Sequence, residues 1–243
     1  MGLKLALTVM YSKEEDAKKL SICERLGLDS FLLIPTKYLD CASVYEIVDP
    51  LLEYRVVVKG ISIPHVPPTS IDMLEKAAII ADEINACYVI THIRDDNTYY
   101  IKCIMKDIFD IFSSYKIGFC VESYPEVITK LRDIVQREIG GVIWLAVTPS
   151  ENTDTHTLIK IILDNIRLIR VIKAINFINN KPVIITKGGN INYYSVIKAL
   201  LRNYFHGDFV LDYDPHGLQL DLTALSREIE TIRQYMATAT RRP

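Results

Sequence analysis

Residues 171–215, VIKAINFINNKPVIITKGGNINYYSVIKALLRNYFHGDFVLDYDP, read as strand, Gly-rich turn, helix, strand. Asn176, Asn179, Asp212 and Asp214 lie near the ends of the two apolar runs. A buried strand tolerates such groups only with a partner, so they mark a pocket rim or a satisfied polar layer. The two predicted strands have a helix between them, the pattern of a parallel β-α-β crossover.

The same alternation extends outward to both ends. The predicted strands are 3–10, 28–35, 56–65, 87–93, 117–125, 140–149, 171–179 and 208–215. Predicted helices follow from Lys13, over 43–55, 71–86, 97–116, 126–139, 154–170 and 192–204, and from Leu222. Ser12 with Glu15 forms a predicted capping box for the first, Ser70 caps the third, and Gly27 stops the first. Pro50 weakens the second. The strands are rich in Val, Ile and Leu rather than alternating, as expected when both faces are covered.

Eight strand–helix pairs in 243 residues match the roughly 250 typical of an α/β (β/α)8 TIM barrel. No Gly-x-Gly-x-x-Gly follows the first strand, which argues against a doubly wound dinucleotide fold. With no linker, low-complexity block or dividing charge run, the expectation is one domain over 1–243, with 236–243 a frayed tail.

Composition narrows the function classes. Hydrophobic residues make up 49% and charged residues 24%, with net charge −2 and pI about 6.2, so no basic footprint points to nucleic acid. The opening MGLKLALTVMYSKEED has too short an apolar run for a signal peptide. No stretch approaches the roughly 18 apolar residues that span a bilayer. Five cysteines (Cys23, Cys41, Cys87, Cys103, Cys120) without a CxxC spacing read as buried free thiols of a reduced cytoplasm.

A parallel barrel carries its chemistry at the carboxyl ends of its strands. The polar residues there are His65, His92, Glu122, Asn176, Asp212 and Asp214, with Arg94, Asp95 and Asp96 in the loop after His92. Glu122 is the leading candidate, since a buried carboxylate demands a partner. Lys187-Gly188-Gly189 offers an anion grip before the seventh helix. His156 and His206 fall on predicted helical surfaces.

Several motifs, taken in order, resemble the xylose isomerase-like, endonuclease IV-like barrels of the sugar phosphate isomerase/epimerase superfamily. They are ISIPHVPP (61–68), YVITHIRD (88–95), FCVESYP (119–125) and GGNINYYSVIKALL…HGDFVLDYDP (188–215). The resemblance implies isomerase or epimerase chemistry by proton transfer beside a carbonyl. Glu122 and Asp212 would be opposed acid and base, with His65 and His92 orienting hydroxyls or polarising the carbonyl. Asn176, Asn179, Arg94, Lys187 and Asp214 would contact a small polar or phosphorylated sugar-like ligand.

The family's divalent metal would fall to Glu122, Asp212 and Asn176 here. Ala146 stands at the strand-six Asp position, Asn176 at the strand-seven His position, and LLIP (32–35) lacks the strand-two acid. A Mg, Mn or Zn ion would thus have an eroded site. The alternative is a barrel that binds a small polar ligand or a protein partner without catalysis. Apurinic-site endonuclease activity ranks lower, because it needs more ligands and a basic surface. A Schiff-base barrel would need a strand-borne lysine, for which Lys59 is the candidate, since Trp144 holds the expected position.

Overall fold

The structure, a computed structural model, describes residues 3–64, 71–92, 98–137, 143–218 and 220–240. Its parallel strands are β1 (Lys4–Met10), β2 (Asp29–Leu33), β3 (Val58–Ile63), β4 (Tyr88–His92), β5 (Gly118–Ser123), β6 (Ile143–Val147), β7 (Ile169–Ala174) and β10 (Asp208–Leu211). They form a closed barrel in the order β1-β10-β7-β6-β5-β4-β3-β2. The closing seam pairs Lys4 with Asp208 and Leu7 with Leu211. The (β/α)8 architecture expected from the alternating runs is the one observed.

Helices α1 (Leu20–Leu26), α2 (Thr36–Cys41), α3 (Val44–Leu52), α4 (Ile71–Glu83), α5 (Thr98–Tyr115), α6 (Pro125–Arg137), α7 (Thr155–Asp164), α8 (Tyr193–Arg202) and α9 (Leu222–Thr240) wrap the outside. The main core lies between strands and helices, with Ile61, Val89, Phe119, Leu145, Ile172 and Phe209 facing outward into it. A second, smaller cluster fills the barrel itself: Ala6, Phe31, Ile90, Cys120, Ala146, Val171 and Val210.

Local chemistry moved several boundaries. The predicted helix over 154–170 ends at Asp164, because Asn165 turns its Nδ2 onto the Ile161 carbonyl and its own carbonyl accepts from Leu168 and Ile169. The β-branched run beyond is β7, and unbroken apolarity had hidden the change of period. The strand expected over 171–179 stops at Ala174, and β8 (Asn176–Ile178) folds back on β9 (Lys181–Val183). The turn is Asn179-Asn180, both with left-handed φ of 51° and 60°, which asparagine tolerates best after glycine.

Ser12 does not form a capping box with Glu15. Its hydroxyl donates to Asp16 Oδ2 at 2.8 Å ahead of a short 3-10 turn over Glu14–Lys19. The capping box occurs at α3, where Ser43 and Glu46 satisfy each other's backbone N–H groups. Ser70 lies outside the described residues. Gly27, with φ 62°, ends α1 as expected.

The expected frayed tail is helical through Thr240 and buries Ala239. Cys23 and Cys120 are buried, whereas Cys41, Cys87 and Cys103 are exposed, so the all-buried expectation fails for three thiols. Among the described residues no helix is long and apolar enough to cross a membrane.

Candidate active site at the carboxyl end of the barrel

Side chains two apart on a strand share a face. Two residues beyond the inner apolar layer, the barrel interior turns polar: Thr8 follows Ala6, His92 follows Ile90, Glu122 follows Cys120, Thr148 follows Ala146, Lys173 follows Val171 and Asp212 follows Val210. Ladder register sets His92 beside Glu122, and Glu122 beside Ala146. Glu122, Lys173 and Asp212 are each at most 4% exposed.

Lys173 lies at the centre. Its Nζ donates to Ser62 Oγ at 3.1 Å, lies 2.8 Å from Glu122 Oε2 and 4.0 Å from Asp212 Oδ1. The approach to Glu122 is that of a close, buried ion pair. Glu122 Oε1 accepts from Thr148 Oγ1 at 2.5 Å and lies 3.5 Å from His92 Nδ1. Asp212 Oδ1 accepts from Thr8 Oγ1 at 2.6 Å, and Oδ2 lies 3.3 Å from His216 Nε2. His92 stacks edge-on against Tyr124, and His216 against Phe177.

Electrostatics explains why two carboxylates stay ionised here. Burial alone would raise both. For Glu122, the Lys173 ammonium and the His92 contact outweigh burial and hold the carboxyl far below its usual range. For Asp212, Lys173, the His216 contact and the Thr8 bond outweigh burial and the repulsion of Glu122, and it too is lowered. Burial would lower Lys173, but Asp212 and Glu122 overcome it and push the ammonium above the ordinary lysine range. An ammonium so held is not the free amine that Schiff-base chemistry requires.

The residues expected from sequence divide into three groups. Glu122, Asp212 and His92 are brought together. His65 and Arg94 lie outside the described residues. The remainder lie elsewhere. Asn176 is fully buried, its Nδ2 donating to the Ile191 carbonyl and its Oδ1 accepting from Ile191 N and Phe177 N. That amide is consumed in holding the hairpin to the segment before α8 and is not free to ligate an ion or a ligand.

Asn179 sits exposed in the hairpin turn, and Lys187 is exposed on a 3-10 turn. Of the two glycines after Lys187, Gly189 serves packing: a Cβ on it would meet Asn176 Oδ1 and the Phe177 carbonyl, each at 2.6 Å, whereas Gly188 stands in open space with a φ of 79°. The start of α8 is capped by Asn192. Asp214 accepts from Met10 N at 2.8 Å and pairs with Lys19 at 3.4 Å. It lines a separate cavity of about 250 Å³ with Lys19 and Leu7.

Lys59, the expected strand-borne amine, pairs with Asp29 at 3.6 Å toward the amino-terminal end of the barrel. The strand-borne lysine in the polar layer is Lys173, which sequence reading passed over, together with His216, Thr8, Thr148 and Ser62. The missed signal was parity: Lys173 stands two residues beyond an inward-facing valine.

The described residues do not fit a divalent metal. Among the described residues no group of three or more His, Cys, Asp or Glu side chains could hold one. Ala146 contributes no ligand, Asn176 is spent, and an ammonium already lies between the two carboxylates.

No protein-family model matches the sequence, and no curated protein sequence matches it. Solved structures do. A D-allulose 3-epimerase from Methylomonas sp. in complex with D-allulose is 13% identical over 96% of this chain and 97% of that one, with a TM-score of 0.71. A xylose isomerase domain protein from Planctomyces limnophilus is 9% identical over 98% and 97%, with a TM-score of 0.67. A sugar phosphate isomerase/epimerase from Parabacteroides distasonis is 11% identical over 99% and 97%, with a TM-score of 0.60. At such identities the likeness is one of fold: this chain has the closed barrel that these proteins share.

Proposed function

We propose that this barrel is an isomerase or epimerase of sugar-like α-hydroxy carbonyl compounds, acting by proton transfer beside the carbonyl. One observation carries the reading: two buried carboxylates, one on β5 and one just after β10, flank one ammonium, and each has a histidine beside it. Removing a proton next to a carbonyl develops negative charge on oxygen, and a fixed cation inside a water-poor site stabilises it. Lys173 supplies that cation. Histidine is the side chain most often used to move protons in catalysis. His92 with Glu122 takes the proton, and His216 with Asp212 returns it. The D-allulose held by the Methylomonas barrel supports a ligand of this class. Glu122, Lys173 and Asp212 together carry one net negative charge, so a phosphate on the ligand would bind away from this centre.

The test is solvent exchange. D-allulose incubated with the protein in D2O, followed by proton NMR, should lose the signal of a hydrogen next to its carbonyl. Glu122→Gln should slow that loss by about 100-fold or more, and Asp212→Asn should slow the appearance of the rearranged sugar by a similar factor. One observation favours a second reading, ligand binding without catalysis: carboxylates held this low are weak bases. Saturation-transfer contact with D-allulose and no exchange would support that reading and defeat the first.

A further inference from the structure

We propose that the Lys173 ammonium stands in the place of a divalent cation, so that the barrel carries its own positive charge and takes the carbonyl oxygen of its ligand on that nitrogen. The geometry resembles a coordination centre with the ion replaced. Carboxylate oxygens from the end of β5 and from just after β10 face one nitrogen at 2.8 and 4.0 Å, and a hydroxyl from β3 completes the set at 3.1 Å. Lysine is the natural substitute, a compact charge on a stem long enough to reach the axis from the barrel wall.

The ammonium also keeps donor capacity among the described residues. An ammonium has three donors. Ser62 and Glu122 take two, and Asp212 is too distant for a hydrogen bond. A spare donor beside an anionic carboxylate matches a carbonyl oxygen and the hydroxyl on the neighbouring carbon. The ligand half of this inference rests on the sugar-like substrate proposed above; the cation half does not.

Metal uptake reads the cation half without any turnover. Mn²⁺ is titrated into chelator-stripped protein and followed by loss of the free-ion EPR signal and by calorimetry. Wild type should take up no Mn²⁺ at this centre. Lys173→Ala, which removes the charge and opens its space between two carboxylates, should bind one ion per chain at least roughly tenfold more tightly than wild type. Its thermal midpoint should rise with added Mn²⁺. Lys173→Met removes the charge but fills the space, and should gain far less.

Folded Lys173→Ala with no gain in Mn²⁺ binding would overturn the proposal. So would wild type binding one Mn²⁺ per chain as tightly as the variant. If Lys173→Ala does not fold, wild type decides alone: submillimolar, stoichiometric Mn²⁺ that is lost in Glu122→Gln overturns the proposal, and its absence supports it. Failure of D-allulose exchange leaves these outcomes unchanged, so the two proposals fall separately.

Discussion

Lys173 is held by groups from β3, β5 and the end of β10, so its removal is felt across the barrel mouth. Losing one member of a buried ionic cluster strands the others, at a cost of about 3–5 kcal/mol. Lys173→Met should lower the unfolding free energy by that amount in urea titrations followed by Trp144 fluorescence. Adding Glu122→Gln to it should recover part of the loss, giving a coupling of about 1–3 kcal/mol between the two sites. Additive losses would show that the 2.8 Å contact carries no energy. Glu122 was legible in the sequence because a buried carboxylate in FCVES demands a partner, and that partner is Lys173. Lys173 was not, because the strand expected over 171–179 puts the lysine near its start, whereas β7 runs Ile169–Ala174 and the lysine is one residue from its end. His216 was invisible, since it enters through a 3-10 turn over Asp214–His216 that no apolar period announces.

The barrel was readable at the level of elements because β-branched strands and amphipathic helices alternate with short punctuating turns. What escaped were pieces decided by side-chain-to-backbone bonds, above all the β8–β9 hairpin. That hairpin is anchored by Asn176 and Asn190, whose amides bond the backbone of Ile191, Phe177 and Thr153. Gly189 makes the anchor feasible, because its α-carbon lies against the Asn176 amide and the Phe177 carbonyl, and its φ is 145°. Gly189→Ala therefore meets both a steric clash and a disfavoured backbone. We expect a loss of about 1–3 kcal/mol in urea unfolding, with cleavage by a protease concentrating near residues 176–190. An unchanged midpoint would mean that the hairpin moves freely against the barrel. The same contact gives Gly189 of the KGG motif a packing reason for being glycine.

Across the whole molecule, the barrel interior is polar at both ends and apolar between, and the two ends titrate in opposite senses. At the carboxyl end, Glu122 and Asp212 are lowered, so their contribution is complete above the ordinary carboxylate range and is lost as pH falls through their folded values. At the amino end, Asp208 is 4% exposed, its Oδ1 has no hydrogen-bond partner among the described residues, and burial pushes its carboxyl up to about 6, against the weaker pull of Lys59 and Lys4. A raised acid stabilises the fold only while protonated. Its contribution is present below about pH 4 and disappears as pH rises through 6. Asp208→Asn keeps the shape and removes the titration, so the difference in unfolding free energy, variant minus wild type, should grow by about 2–3 kcal/mol between pH 4 and pH 8. Urea midpoints at several pH values measure that difference directly, and a constant polar offset from the new amide cancels in the comparison. Parallel profiles for the two proteins would mean that Asp208 ionises in the fold as readily as in the open chain, and that the amino-terminal polar layer is wetter than its burial implies.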